Sequence, residues 1–203
     1  MSRVPGGPAV VFDIGWVLLH LTPGPVLNWL SEHSVQHSGI EDIGARIGLE
    51  DHESGRLNGA GLLANLGKLA GNPDLETARR LWLDMFDYQH GMFELAQRLR
   101  SRYRVFLLSN VGDLHWEHLN ERYRVSDIAD DVLPSFQAGI MKPHGGIYEH
   151  AERRFALTPA QTVFIDDRVD NIEAVRRRGW HGIVHSSAEA TIAELLRLGY
   201  RTD

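Results

Sequence analysis

Three short apolar runs constrain this chain most: Ala9-Val10-Val11-Phe12, Val105-Phe106-Leu107-Leu108 and Thr162-Val163-Phe164-Ile165. None alternates between apolar and polar residues. Each therefore reads as a strand covered on both faces, the habit of parallel sheets. Each also ends in polar groups: Asp13, then Ser109-Asn110, then Asp166-Asp167. In open α/β sheets, ligands bind just beyond the carboxyl ends of the strands. Three such endings point to one shared site. Gly182-Ile183-Val184 reads as a last strand.

Helical patterns fill the gaps. Phe93 to Tyr103 puts Phe93, Leu95, Ala96 and Leu99 on one broad face, and His115–Tyr123 and Ile147–Phe155 read as helices. In Asp170–Arg178, Asp170 caps and Glu173 follows three residues later, as in a capping box. Ile172 and Val175 turn inward, Arg176 to Arg178 suit the negative helix end, and Gly179 stops it. Ala188–Leu198 closes the chain as a helix. Between about Thr22 and His90 the pattern changes to helix-like pieces, Val26–His33, Ile40–Arg46, Gly59–Leu69 and Leu75–Phe86, with no convincing buried strand. Strands and helices on either side of a helical insert give an α/β protein: a Rossmann-like parallel-sheet core, residues 1–21 and 91–203, carrying a small inserted all-helical cap domain, residues 22–90. A cap over the strand ends would control access and exclude water.

The chain has 203 residues, a formal net charge of −6 and no cysteine. The acidic balance argues against a nucleic-acid partner, which needs a basic surface. Disulfides and thiolate metal sites are excluded. Met1 to Pro8 lacks the apolar stretch of a signal peptide and reads as a loose lead-in, and no apolar run reaches the length of a membrane span. The expectation is a cytoplasmic protein with no membrane partner. Oligomeric state is not legible.

Asp13 alone reads as a turn or cap residue before it reads as a nucleophile or ligand. The Asp166-Asp167 pair shifts that balance, because adjacent carboxylates repel unless a cation or donor sits between them. A hard divalent cation with oxygen ligands fits, and Mg²⁺ commonly meets a phosphate there. Lys142, in Gly139-Ile140-Met141-Lys142-Pro143, would neutralise charge on an attacking Asp and a transferred group. Ser109 and Asn110 can donate to phosphate oxygens, or cap the next helix.

The ordered set FDIGWVLL, LLSN, GIMKP and FIDD resembles the haloacid dehalogenase-like hydrolase superfamily, in particular its phosphatase branch with an FDxGxVL first motif. The resemblance runs from about Val10 to Val184. HESGRLNGAGLLANL is similar to the family's glutamate–x–Gly stretch before a cap helix, and Trp82 falls in a plausible cap helix. What it implies is a phosphomonoester hydrolase using Mg²⁺ and acting on a small phosphorylated metabolite such as a sugar phosphate. Asp13 would attack phosphorus and form an aspartyl-phosphate. Asp13, the Gly15 carbonyl and Asp166 or Asp167 would hold the metal. Ser109, with Asn110 nearby, would bind the phosphoryl group, and Lys142 would hold both it and Asp13.

The chain departs from the family in two places. Many of the family's phosphatases carry a second Asp two residues after the nucleophile, where this chain has Gly15. That acid protonates the leaving oxygen; a water, His20 or a cap residue is left to replace it. Trp16 stands where a small polar residue is common, and its backbone N–H could still face the phosphate. Two other readings stay open: an inactive or very slow binding module, and a metal-free 2-haloacid dehalogenase, against which the Asp166-Asp167 pair argues.

Overall fold

The computed structural model describes residues 6–71 and 74–203, so most of the expected lead-in, Met1 to Pro5, lies outside the described residues. The four apolar runs form strands: β1 (Ala9–Phe12), β4 (Arg104–Ser109), β6 (Thr162–Asp166) and β7 (His181–Val184). With β5 (Asp131–Pro134) they make one parallel sheet of order β5-β4-β1-β6-β7. β1 sits at its centre, with Val10 opposite both Val105 and Val163. Alternate residues of β1 feed two cores. Val10 and Phe12 join a cluster with Phe93, Leu95 and Leu99; Ala9 and Val11 join one with Ile147, Phe164 and Ile172. Burial on both faces explains why the runs do not alternate.

The helices of the core follow the expected pattern with small shifts: α6 (His90–Arg100), α7 (Asp113–Tyr123), the four-residue α8 (Ser135–Ala138), α9 (Gly145–Arg154), α10 (Val169–Arg177) and α11 (Ala188–Arg197). The capping box expected at Asp170 is not made. Helix α10 begins at Val169, with Arg168 two residues earlier than expected at the cap position, and Asp170 instead takes a two-pronged ion pair from the Arg168 guanidinium. Gly179 does end the helix, in the left-handed region at φ 84°.

Between β2 (Leu19–Leu21) and β3 (Phe86–Tyr88) lie α1 (Gly24–Glu32), α2 (Ile40–Ile47), α3 (Leu49–Glu53), α4 (Gly59–Leu69) and α5 (Leu75–Leu83). They form a helical cap with its own core around Trp29, Leu30, Ile43, Leu62, Leu66 and Trp82. The last cap helix stops at Leu83 rather than Phe86, because Phe86–Tyr88 turns into a strand antiparallel to β2. A two-stranded ribbon thus carries the chain into and out of the insert. No helix among the described residues is long and apolar enough to cross a membrane.

Candidate active site

β1 delivers Asp13, β4 delivers Ser109 and β6 delivers Asp166 to the same end of the sheet, the strand ends being held in register as parallel neighbours. The Asp13 N–H donates to the Ile165 carbonyl at 2.9 Å, which extends the pairing of β1 and β6 into the site. The Lys142 ammonium lies between two carboxylates, 2.8 Å from Asp13 Oδ1 and 2.7 Å from Asp166 Oδ2. All three groups are buried, so the pairs are screened little by water. Burial alone would lower the Lys142 pKa, but Asp13 and Asp166 together hold it above the usual lysine range. Burial pushes the Asp13 carboxyl up to about 7; Lys142 pulls against this and Asp166 adds to it.

Asp166 is saturated from the protein side. Its oxygens accept from Lys142, from the Asn171 amide at 2.9 and 3.0 Å and from the Arg168 N–H at 2.8 Å. Asp167 is only half-buried, and burial and then Asp166 raise its pKa. Ligand oxygens of Asp13, Asp166 and Asp167 lie within 4.8 Å of one another. Three carboxylates at that spacing are a donor set a hard divalent cation can use.

The remaining residues picked from sequence divide. Ser109 is buried beside Asp13 and hydrogen-bonds to it. Asn110 is committed elsewhere: its Nδ2 donates to the Lys142 carbonyl at 3.0 Å and its Oδ1 accepts from the Lys142 N–H at 2.8 Å. Its amide therefore braces the lysine backbone, while Asn110 also lines the cavity. Trp16 is 44% exposed at the mouth of the cavity. Its backbone N–H, expected to face the ligand, donates instead to the Leu19 carbonyl at 2.6 Å, because the chain folds back in a tight turn there with Trp16 at φ 59°. Gly15 lines the cavity, but His20 does not. Alternation along β2 turns Leu19 inward and His20 outward, where its ring meets the Trp16 edge at 5.5 Å.

The site opens into a cavity of about 1010 Å³ between the strand ends and the cap. One residue on its cap wall escaped the sequence reading. Glu53, at the end of α3, faces the space that holds Asp13 and Lys142. Burial and then the nearby Asp13 push its pKa up to about 8, so its carboxyl stays protonated near neutrality. Its position is fixed by three docking points between cap and core. The Ser135 hydroxyl donates to the Glu53 carbonyl at 2.5 Å and itself accepts from the Val111 N–H at 3.0 Å. His52 packs where any side chain at Gly112 would stand, and a Cβ at Gly55 would meet the Phe136 carbonyl oxygen at 2.5 Å. The glutamate–x–Gly wording was visible in the sequence, but its placement opposite Asp13 depends on the docked fold.

A parallel sheet with an acidic cluster and a bridging lysine at its carboxyl end, under a helical cap, defines a hydrolase of the α/β class. The chain belongs to the haloacid dehalogenase-like hydrolase family, whose model matches residues 9–179. It is similar to the sesquiterpene phosphatase astK of Aspergillus oryzae, 26% identical over 196 residues, 94% of this chain and 95% of that protein. It is also similar to the D-ribitol-5-phosphate phosphatase of Bacteroides thetaiotaomicron, 25% identical over 84% of this chain and 88% of that one. Among solved structures, a family enzyme of Bacteroides thetaiotaomicron in its magnesium complex superposes with a TM-score of 0.81, at 24% identity, over 95% of this chain and 99% of that one. At that identity the likeness concerns the fold.

Proposed function

We propose that this protein is a Mg²⁺-dependent phosphomonoester hydrolase acting on a small phosphorylated metabolite. The observation that carries the reading is Lys142 held between Asp13 and Asp166, with Asp167 completing a three-carboxylate cluster at the mouth of a capped cavity. The two phosphatase relatives and the magnesium complex of the structural neighbour support it. The segment from Thr22 to His90 serves as the cap domain.

Asp13, the Gly15 carbonyl and the acids of the third strand end would hold the cation, which supplies charge neutralisation for the incoming phosphate. Of that pair, Asp167 is the one whose oxygens are not already shared with Lys142 and Asn171. An Asp13 oxygen attacks phosphorus and the ester P–O bond breaks, leaving an aspartyl-phosphate. Lys142 and Ser109 bind the phosphoryl oxygens, so most of the rate comes from positioning and charge. Glu53 gives its proton to the departing alcohol oxygen. It then takes one from the water that attacks phosphorus, releasing phosphate and restoring Asp13. Glu53 thus stands in for the acid that Gly15 lacks.

The first test is phosphate release from p-nitrophenyl phosphate with and without Mg²⁺. Release that needs the metal and vanishes in Asp13→Asn, with an unchanged circular dichroism spectrum, is the expected result. Undiminished release in that variant would remove Asp13 from its role.

A further inference from the structure

We infer that the alcohol this site releases is apolar: the substrate is the phosphate monoester of a long hydrocarbon-like alcohol rather than of a polyol. The inference rests on the phosphatase reading and narrows it.

The cavity of about 1010 Å³ lies at the upper end of small-molecule sites and far exceeds a phosphoryl group. Away from the Asp13–Lys142 pole its sheltered wall is built from Ile14, Leu21, Trp82, Met85, Phe86 and Leu119. Ile14, Trp82, Met85 and Leu119 are each 3% exposed or less. Two polar side chains also reach this wall, Trp82 and His115, yet they offer it little hydrogen bonding. Trp82 Nε1 and His115 Nε2 are both sealed from solvent, with no partner among the described residues. His115 is also held neutral, burial and then the neighbouring His52 pushing its pKa down to about 3. What the two rings can present is carbon surface. The charged wall residues Glu41, Glu50, Arg56 and Arg168 are exposed, as is His144, and belong to the mouth.

Polyol hydroxyls laid along this apolar wall would give up hydrogen bonds to water without replacing them there, and sites that leave substrate hydroxyls unpaired select against them. A hydrocarbon tail loses nothing on entry and gains burial against Met85, Leu119 and Trp82. The two poles of the cavity, ionic at one end and greasy along the cap, match an amphiphile with a phosphate head. Trp16 extends the apolar surface to the rim, where the family's wording has a small polar residue.

The experiment is a kcat/KM series over n-alkyl monophosphates from butyl to dodecyl, each below its micelle concentration, beside ribitol 5-phosphate and p-nitrophenyl phosphate. The expected result is a rise of about two- to fourfold per methylene until the cavity fills, the upper figure being full transfer of each CH₂ from water. The longest chains should exceed ribitol 5-phosphate by at least about a hundredfold. A series that is flat or falls with chain length while phosphate is still released overturns the substrate class and leaves the phosphatase reading standing. Release from no ester, p-nitrophenyl phosphate included, sinks the phosphatase reading instead. Calorimetric titration with butyl- and decylphosphonate then decides the cavity separately: tighter binding of the longer chain supports the apolar site, and equal binding or none rejects it.

Discussion

Gly15 and Glu53 form the decisive pair at the scale of single residues. A Cβ at Gly15 would meet only Leu21 Cδ1, at 3.8 Å, so the missing side chain is not a steric necessity. In the proposed mechanism the acid sits on the cap instead, and this can be read out by varying the leaving group. Glu53→Gln should lower kcat/KM by about 10²–10⁴ for alkyl phosphates, whose alkoxide must be protonated as it leaves. For p-nitrophenyl phosphate, whose phenolate leaves without a proton, the loss should stay below about tenfold. Equal losses on both substrates would reduce Glu53 to a structural residue. In the Glu53→Gln background, Gly15→Asp should recover at least about tenfold on alkyl phosphates, since the added carboxyl fits beside Asp13. Asp13, Lys142, Ser109 and the Asp166-Asp167 pair were legible because each sits at a predictable strand end or motif. Glu53 and Asn171 were not, because their meaning lies in what the fold brings next to them. The bracing that the Asn110 amide gives the Lys142 backbone, a partner 32 residues away, was hidden for the same reason.

Among the elements, the short helix α3 and the turn after it do more than their length suggests. They dock the cap on the core at His52, Glu53 and Gly55, and two glycine substitutions separate the contributions. Gly55→Ala combines a positive φ of 75° with a collision against the Phe136 carbonyl. It should cost about 2–4 kcal/mol in urea denaturation and lower kcat/KM by displacing Glu53. Gly71→Ala has a similar φ of 60° but, among the described residues, nothing within 4 Å of the new Cβ; it should cost only about 1 kcal/mol and leave kcat/KM unchanged. Equal effects would mean that close approach at Gly55 is unimportant. Helix α3, the β2–β3 ribbon and β5 were all missed in the sequence. These elements carry too few consecutive apolar positions to show a pattern: β5 has only Val132 and Leu133 between its end residues. Strands built on unbroken apolar runs and covered on both faces, such as β4 and β6, were plain.

At the scale of the whole molecule, cap and core meet around His115, which packs on Trp82 and Phe86 of the insert. The titratable groups facing it are His52 from α3 and His118 on its own helix, and the Trp82 carbonyl accepts its hydrogen bond. An unfolded histidine takes a proton near pH 6.5, whereas His115 in the fold does so only near 3. Acid therefore favours the unfolded chain between those values, by at most about 1.4 kcal/mol per pH unit. Urea denaturation at pH 7 and pH 5 should show the wild type losing more stability than His115→Phe over that interval; equal losses would acquit the histidine.

The position of β1 also bears on how the chain is made. It leaves the ribosome before both its partners, β4 and β6, which follow some hundred and a hundred and fifty residues later. The insert between them is self-contained, with a core drawn from a contiguous stretch. During synthesis the cap can fold while β1 waits with both edges bare, a segment of four apolar residues that invites mispairing. Asp13 acquires its full set of neighbours only when residues near 166 emerge, so the candidate site, begun by a strand made long before them, is completed late in synthesis.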